Sequence, residues 1–211
     1  NHVHVTGGGG EASFKSRAPE VELSKLIEGG ITTVVGLLGT DSTSRSIENL
    51  LAKVKALNEE GITAYCLTGS YALPSITLTG DIRKDIAFVD QIIGLKVALS
   101  DHRSTNPTKE EFYRAAAYAN IGGILSGKAG LVVCHMGYGK DGLKYLNDLK
   151  NEAEIPIKNL LPTHINRNEK LLEEGLSYIK EGGNIDLTCM GEDDLRPANI
   201  IMRAIDQKLP L

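Results

Sequence analysis

The stretch GLVVCH, residues 130–135, is a short apolar run rich in β-branched residues that ends on a histidine. Such residues favour strands, and a continuous apolar run of this length is typical of a strand buried on both faces. The sequence therefore predicts further strands wherever similar runs recur, at intervals of roughly 30 residues. These runs are Val3–Val5, Ile31–Leu38, Ile62–Leu67, Ile93–Leu99, Ile157–Leu161 and Asn184–Leu187.

Segments with apolar residues at helical spacing separate these runs and predict helices. Glycines follow several of them, at the positions where helices commonly end. Alternating strands and helices of this length favour a parallel sheet with right-handed crossovers. The segments are Val21–Glu28, Ser44–Glu60, Lys109–Leu125, Lys140–Leu149, Asn168–Ile179 and Pro197–Asp206, with an extra excursion at Pro74–Gly80 after the third run.

Two architectures use this repeat. An open doubly wound sheet usually carries a glycine fingerprint after its first strand, whereas a (β/α)₈ barrel spreads its functional residues over the ends of many strands. Gly7–Gly10 lacks the spacing of a dinucleotide fingerprint and the Lys-Ser/Thr of a phosphate loop. Because polar residues follow several runs, we expect an α/β fold of the TIM-like (β/α)₈ barrel type, with residues 1–211 as a single domain.

Composition excludes several classes of protein. The chain has 211 residues, of which 41% are hydrophobic and 24% charged, as in an ordinary globular domain rather than a disordered or coiled-coil protein. Its net charge is −4 and its basic residues are scattered, which argues against a nucleic-acid partner. No apolar run approaches the roughly 20 residues of a membrane span. We expect no membrane association.

The three cysteines are too few for a disulfide framework. Cys66, Cys134 and Cys189 each follow a residue type that favours strands, so we expect them to be reduced and buried, in a cytoplasmic protein. Cys134 and His135 are neighbours on a predicted strand and point to opposite faces, which argues against a nucleophile–base pair.

Histidines mark one end of the predicted barrel. His2 and His4 lie two residues apart on the first run, so both side chains share one face of that strand. His135 ends the fifth run, and His164 follows the sixth. Neutral imidazole is the commonest metal ligand in proteins and suits zinc. The histidines therefore predict a metal site at the carboxyl ends of the strands.

Lys96 lies inside the apolar run Ile93–Leu99, so its side chain could enter the barrel. Burial and nearby cations would depress the pKa of its amine, and a neutral amine can add carbon dioxide to form a carbamate that bridges two cations. A surface lysine with a buried aliphatic stem is the alternative from chemistry alone.

These residues resemble the amidohydrolase superfamily with a binuclear metal centre, and more narrowly the isoaspartyl (β-aspartyl) dipeptidase family. The resemblance runs over essentially the whole chain. It rests on His2-Val3-His4 followed by Gly7-Gly8-Gly9-Gly10-Glu11, on Gly39-Thr40-Asp41-Ser42, Leu67-Thr68-Gly69-Ser70-Tyr71, Ser100-Asp101-His102-Arg103-Ser104, His135-Met136-Gly137 and Thr163-His164-Ile165-Asn166-Arg167-Asn168.

The resemblance implies a metal centre and a reaction. His2 and His4 would bind one divalent ion, most plausibly zinc, and His135 and His164 a second, with carbamylated Lys96 and a hydroxide as bridges. The hydroxide would attack the β-linked peptide bond of an isoaspartyl dipeptide.

The remaining assignments concern the substrate. The resemblance implies that Tyr71 stabilises the developing oxyanion, that Glu11 takes the substrate ammonium, and that Arg103 and Arg167 clamp its carboxylates. Thr40 is expected to add a hydrogen bond, and the family's habit implies a homo-oligomer.

One departure and two alternatives accompany this hypothesis. The family has an aspartate at the end of strand eight and a small N-terminal β-domain, and neither is found in these 211 residues, so we expect a fragment of a longer chain with about seven βα units. A cyclic amidohydrolase of the dihydroorotase or hydantoinase type would share the metal centre but not the use of Glu11. A barrel that serves only as a scaffold would typically have lost its metal ligands.

Overall fold

The computed structural model describes residues 1–189 and 193–210. Within them, six strands form one sheet in which every neighbouring pair is parallel and the strands follow chain order. This confirms the parallel α/β fold and the first six predicted strands. The strands are β1 (His2–Val3), β2 (Thr33–Gly36), β3 (Thr63–Gly69), β4 (Ile92–Leu99), β5 (Leu131–Met136) and β6 (Leu160–Thr163).

Seven helices accompany the strands in the described part of the chain. Six of them match predicted segments with ends shifted by a few residues, and none is both long and apolar enough to cross a membrane. They are α1 (Leu23–Glu28), α2 (Ile47–Glu59), α3 (Ile82–Phe88), α4 (Lys109–Ser126), α5 (Lys144–Glu152), α6 (Glu169–Lys180) and α7 (Pro197–Asp206).

Helix α3 was not predicted from the pattern. It has only seven residues, too few for a helical hydrophobic period to stand out. Its stability comes from two buried isoleucines, Ile82 and Ile86, and from polar contacts. Asp81 caps the first turn by accepting a hydrogen bond from the Arg83 amide, and buried Asp85 accepts one from the Thr68 hydroxyl at 2.5 Å.

The prediction of a seventh strand at Asn184–Leu187 is wrong. Only Asp186 of this run pairs with the sheet, through an isolated parallel bridge to Thr163 beside β6. Its two apolar residues are half-buried, and among residues 1–189 and 193–210 no strand pairs with its other edge. Asp186 makes two backbone hydrogen bonds, from its amide to the Pro162 carbonyl and from the Ile165 amide to its own carbonyl, and the pairing goes no further.

The strands alternate between two apolar layers. In β5, Val132 and Cys134 face the main core beneath the helices, while Val133 belongs to a smaller cluster on the opposite, inner face. His135 follows that alternation and lies on the inner face. The sheet also curls, because His2 on the first strand comes within 3.4 Å of Asp186 beyond the sixth.

A register shift in β4 turns its later residues inward. Cys66 of β3 pairs with Ile92 and Leu67 pairs with Gly94, so Ile93 is an extra residue in β4. Ile92 and Leu95 both face the helix-side core, which leaves Lys96 on the inner face. A side chain at Gly94 would meet the Leu131 carbonyl oxygen at 2.3 Å, so glycine is needed at this bulge.

The cysteine prediction holds for two of the three residues. Cys66 and Cys134 are buried, and burial raises the pKa of each thiol to about 12. Cys189 is exposed, which contradicts the expectation that all three are buried. It lies just beyond the seventh run, where the expected strand does not continue.

Candidate active site

Three of the predicted histidines meet at the carboxyl ends of β1, β5 and β6. The ring centroids of His2 and His164 are 5.5 Å apart, and those of His135 and His164 are 4.6 Å apart. His164 holds its place in a left-handed backbone conformation with φ of 65°, which costs free energy in a non-glycine residue. Its Nδ1 lies 2.6 Å from the Thr188 hydroxyl oxygen, and this hydrogen bond fixes the orientation of the ring.

The pKa of each of the four predicted histidines is lowered, which favours the neutral imidazole. Burial first, and then nearby positive charge, lowers the pKa of His2 and His135 to about 3. Burial and the neighbouring His135 lower the pKa of His164 to about 2, and burial and Lys96 also lower the pKa of His4. A neutral imidazole keeps one nitrogen lone pair, which is the form that binds metal ions.

Lys96 lies beneath this group and is fully buried. Among the described residues its Nζ has no hydrogen-bond partner, and the same holds for Nδ1 of His4. Burial lowers the pKa of Lys96 to about 8, so its amine loses a proton far more readily than an exposed lysine does. Buried polar atoms without partners are rare and call for a further group that would satisfy them.

The donor atoms fit divalent cations. One ligand atom each from His2, His164 and Asp186 lies within 4.8 Å of the others, close enough to share one ion. Together with the unpartnered atoms of His4 and Lys96, this nitrogen and oxygen donor set suits zinc and related metals.

Asp186 was not assigned a role from the sequence. Its carboxylate lies 3.4 Å from Nδ1 of His2, and burial raises its pKa. The sequence could have indicated it, because Asp186 is an acidic residue within the seventh apolar run, between two apolar residues that point to the opposite face of a strand.

Tyr71 joins the group from the segment that follows β3. Its hydroxyl is 2.7 Å from Nδ1 of His135, its ring centroid is 4.4 Å from that imidazole, and the side chain is buried. Burial raises the pKa of the Tyr71 phenol far above neutrality, so it remains a hydrogen-bond donor. Nζ of Lys96 lies 5.9 Å from the centre of its ring.

The predicted substrate residues lie beside the histidines. Glu11 accepts a hydrogen bond from the Thr40 hydroxyl at 2.8 Å and forms an ion pair with Arg103 at 3.2 Å. Partial burial alone would raise the pKa of Glu11, but the hydrogen bonds from Thr40 and Arg103 lower it. Arg103 and Arg167 both reach Nε2 of His135, with their Nη2 atoms at 2.8 and 3.4 Å, and the guanidinium of Arg167 lies 5.6 Å from the centre of the Tyr138 ring.

A buried carboxylate that the sequence did not single out completes the site. Asp101 accepts hydrogen bonds from Nε and Nη2 of Arg103 at 2.8 and 3.0 Å, and its Oδ2 is 3.1 Å from Nε2 of His135. Burial alone would raise the pKa of Asp101, but the hydrogen bonds from Arg103 hold it well below its usual range. Its sequence position, five residues after Lys96 and at the end of β4, was the signal that could have found it.

No family model matches the chain, but solved structures resemble it. The chain is similar to a β-aspartyl dipeptidase from Fervidobacterium islandicum, with 48% identity over 99% of its own length and a TM-score of 0.95. The same level of identity, with a TM-score of 0.94 over 98% of the chain, relates it to a structure of that enzyme in complex with the dipeptide β-Asp-Leu.

The similarity is partial in length and extends to a more distant fold relative. The chain spans 57% and 54% of the two dipeptidase structures. A phosphotriesterase from Mycobacterium tuberculosis shares the fold, with 22% identity, a TM-score of 0.58 and coverage of 88% of this chain and 62% of that one. Over nearly its whole length, the chain is therefore similar in sequence and in fold to a β-aspartyl dipeptidase.

Proposed function

We propose that the protein hydrolyses the β-linked peptide bond of isoaspartyl dipeptides with the help of two divalent cations. The observation that carries this proposal is that the imidazoles contact the ion pair between Arg103 and Glu11. Tyr71, Arg103 and Arg167 all reach His135, and Arg103 is itself paired with Glu11. The similarity to a dipeptidase whose structure holds β-Asp-Leu supports the same substrate class.

The metal-binding part of the proposal assigns His2 and His4 to one cation, and His135 and His164 to the other. Two bound divalent cations would lower the pKa of the attacking water and polarise the scissile carbonyl. Lys96 would bridge them after carbamylation. Its neutral amine adds carbon dioxide, a nitrogen–carbon bond forms, and a proton is released. Full burial and a lowered pKa favour this reaction over retention of an ammonium ion.

Charge complementarity defines the substrate end of the site. An isoaspartyl dipeptide carries one α-ammonium group and two carboxylates. Glu11 supplies the negative charge for the ammonium, while Arg103 and Arg167 supply planar guanidinium groups that suit carboxylates. In this structure Glu11 and Arg103 bind one another. A bound dipeptide would replace that ion pair, with its ammonium group against Glu11 and a carboxylate against Arg103.

Tyr71 has the properties of a donor to the oxyanion. Its hydroxyl is buried, protonated and bonded to His135 at 2.7 Å. A small rotation would let it donate to a carbonyl oxygen placed beside the imidazoles, where negative charge develops during attack.

The test compares two substrates on the full protein loaded with zinc. Release of aspartate from β-Asp-Leu is expected, together with no opening of cyclic amides such as dihydroorotate or a hydantoin. The Glu11→Gln variant should lose most dipeptidase activity because its amide cannot neutralise an ammonium group. Hydrolysis of a cyclic amide alone, unaffected by Glu11→Gln, would instead identify a cyclic amidohydrolase. A protein that binds no metal would favour a scaffold.

A further inference from the structure

The guanidinium of Arg167 lacks the partners that the other proposed substrate arginine has. Arg103 forms ion pairs with the carboxylates of Asp101 and Glu11, at 2.8 and 3.2 Å. In the part of the chain that the structure describes, no arginine ion pair involves Arg167, and its buried Nε has no hydrogen-bond partner. A guanidinium in this state suits a carboxylate that accepts from two of its nitrogens at once.

Two of the three charged groups of an isoaspartyl dipeptide share one carbon atom. The α-ammonium and the α-carboxylate are both bonded to Cα of the isoaspartyl residue, so the side chains that bind them must be neighbours. Glu11 and Arg103 are such neighbours, since Nη1 of Arg103 lies 3.2 Å from Oε1 of Glu11. These two side chains therefore account for the isoaspartyl residue, and Arg167 is left for the carboxylate of the second residue.

Tyr138 lies beside this second arginine. It comes two residues after the end of β5, and the centre of its ring is 5.6 Å from Cζ of Arg167. Tyr138 is 70% exposed, so most of its ring is open to contact by a ligand. The side chain of the second residue is bonded to the carbon that carries its carboxylate. A carboxylate bound to Arg167 would therefore bring that side chain next to the Tyr138 ring.

We propose that Tyr138 is a specificity-determining residue that contacts the side chain of the second residue and gives the protein a preference for isoaspartyl dipeptides in which that residue is apolar. This inference rests on the proposed function. Contact with the ring would remove roughly 50 Å² of apolar surface from water, which should tighten binding of a leucine over a glycine by about 5- to 10-fold.

Two altered dipeptides test which carboxylate Arg167 binds. β-Alanyl-leucine lacks the α-carboxylate of β-Asp-Leu, and the C-terminal amide of β-Asp-Leu lacks the carboxylate of the second residue. The Arg167→Met variant should no longer bind β-Asp-Leu more tightly than its C-terminal amide, but it should still bind β-alanyl-leucine more weakly than β-Asp-Leu. The opposite pattern would place the α-carboxylate on Arg167 and overturn the inference. Dissociation constants are measured by calorimetry on the full protein with chelator present, so that no dipeptide is cleaved.

Substitutions at Tyr138 test the preference itself. Tyr138→Ser should weaken the binding of β-Asp-Leu about 5- to 10-fold more than that of β-Asp-Gly, because glycine brings no side chain to the ring. Tyr138→Phe keeps the ring and should keep the preference. Phe88→Ser is the matched control, since Phe88 is 79% exposed at the end of α3 and its loss should not change the ratio of the two affinities. An equal change for both dipeptides in Tyr138→Ser would refute the role.

Hydrolysis by the zinc-loaded full protein separates this inference from the proposed function. The ratio of the KM values for β-Asp-Gly and β-Asp-Leu should fall in Tyr138→Ser as the ratio of affinities does. Binding with the expected preference but without cleavage would refute the proposed function and leave the role of Tyr138 intact. Cleavage of both dipeptides with an unchanged KM ratio in Tyr138→Ser would refute the role and leave the proposed function intact. Neither binding nor cleavage of any dipeptide would refute both.

Discussion

The sequence Asp-X-Arg occurs at residues 81–83, 101–103 and 194–196, and it forms nearly the same structure at the first two. At residues 81–83 and at residues 101–103, the aspartate binds the amide, Nε and Nη2 of the arginine two residues later. Each arginine also lies over a tyrosine ring, Arg83 at 4.6 Å from the centre of Tyr118 and Arg103 at 5.5 Å from that of Tyr71. We call them the outer fork (Asp81, Arg83) and the inner fork (Asp101, Arg103).

The two forks differ in what surrounds them. The side chains of the outer fork are 20% and 43% exposed, whereas those of the inner fork are 1% and 18% exposed. The inner fork also contacts His135 and Glu11, and the outer fork caps a short helix. The same local chemistry therefore serves helix stability at the surface and substrate and metal binding inside, because charge interactions strengthen when water is excluded.

The largest expected difference comes from removing each arginine. Arg103→Met leaves the buried carboxylate of Asp101 without its ion-pair partner and should lower the free energy of unfolding by about 3–5 kcal/mol. Arg83→Met removes an exposed ion pair and should lower the free energy of unfolding far less. Urea unfolding of both metal-free variants measures the contrast. Equal losses would mean that burial does not distinguish the forks.

Substitution of the glycine beside each fork should change the free energy of unfolding less, and only one of the two substitutions should affect zinc binding. Gly137→Ala places a methyl group against Asp101 and should cost about 1–3 kcal/mol through overpacking while it also weakens zinc binding. Gly80→Ala, next to Asp81, meets open space but requires a positive φ of 83°, so it should cost about 1–2 kcal/mol and leave zinc binding unchanged. Thermal unfolding and chelator competition separate the two. A zinc defect in Gly80→Ala would contradict the contrast.

The histidine beside the inner fork predicts a pH effect. The folded pKa of His135 lies near 3, below its value in the unfolded chain, so the unfolded state binds more protons between about pH 6.5 and 3. Stability of the metal-free protein should therefore fall as the pH falls through that window. Replacing the ring by His135→Gln should remove up to about 1.4 kcal/mol per pH unit of that slope.

The control for this pH dependence is His102→Gln, since the His102 side chain is 79% exposed. Both variants are compared with the unsubstituted protein in urea titrations run at several pH values with chelator present. An unchanged slope in His135→Gln would mean that the burial of this imidazole does not affect acid stability.

The smallest effect concerns the tyrosine above the outer fork. Tyr118→Leu removes the ring that Arg83 covers but keeps an apolar side chain, and should cost about 0.5–1 kcal/mol in urea unfolding. Zinc binding should not change. A loss of several kcal/mol would show that the outer fork contributes more to stability than its exposure implies.

Sequence patterns predicted most of the fold because the strands are apolar and the longer helices carry a clear period. Helix α3 escaped prediction because its seven residues are too few to show a period, although Ile82 and Ile86 are buried in the core and Asp81 caps its first turn. The run at Asn184–Leu187 was overpredicted because a strand also needs a paired neighbour, which a single segment does not reveal.

The ten site residues predicted on the basis of the resemblance lie around one mouth, but their functions stay predictions. Sequence spacing indicated that His135 points inward, since alternation along a strand is a local property. It could not indicate that Asp101 contacts His135, because that contact depends on the bulk of the neighbouring loop and on the space at Gly137. Nor could it distinguish the inner fork from the outer one, whose residues are the same.

The extra residue Ile93 in β4 has a consequence for how the site could be altered or lost. A regular strand with Ile93 placed opposite Leu67 would turn Lys96 toward the helices, into apolar surroundings and away from the imidazoles. Deletion of Ile93 would instead keep Gly94 opposite Leu67 and leave Lys96 on the inner face. The spacing before the lysine can therefore differ by one residue between related sequences without loss of the proposed bridging ligand, provided that the bulge is lost together with that residue.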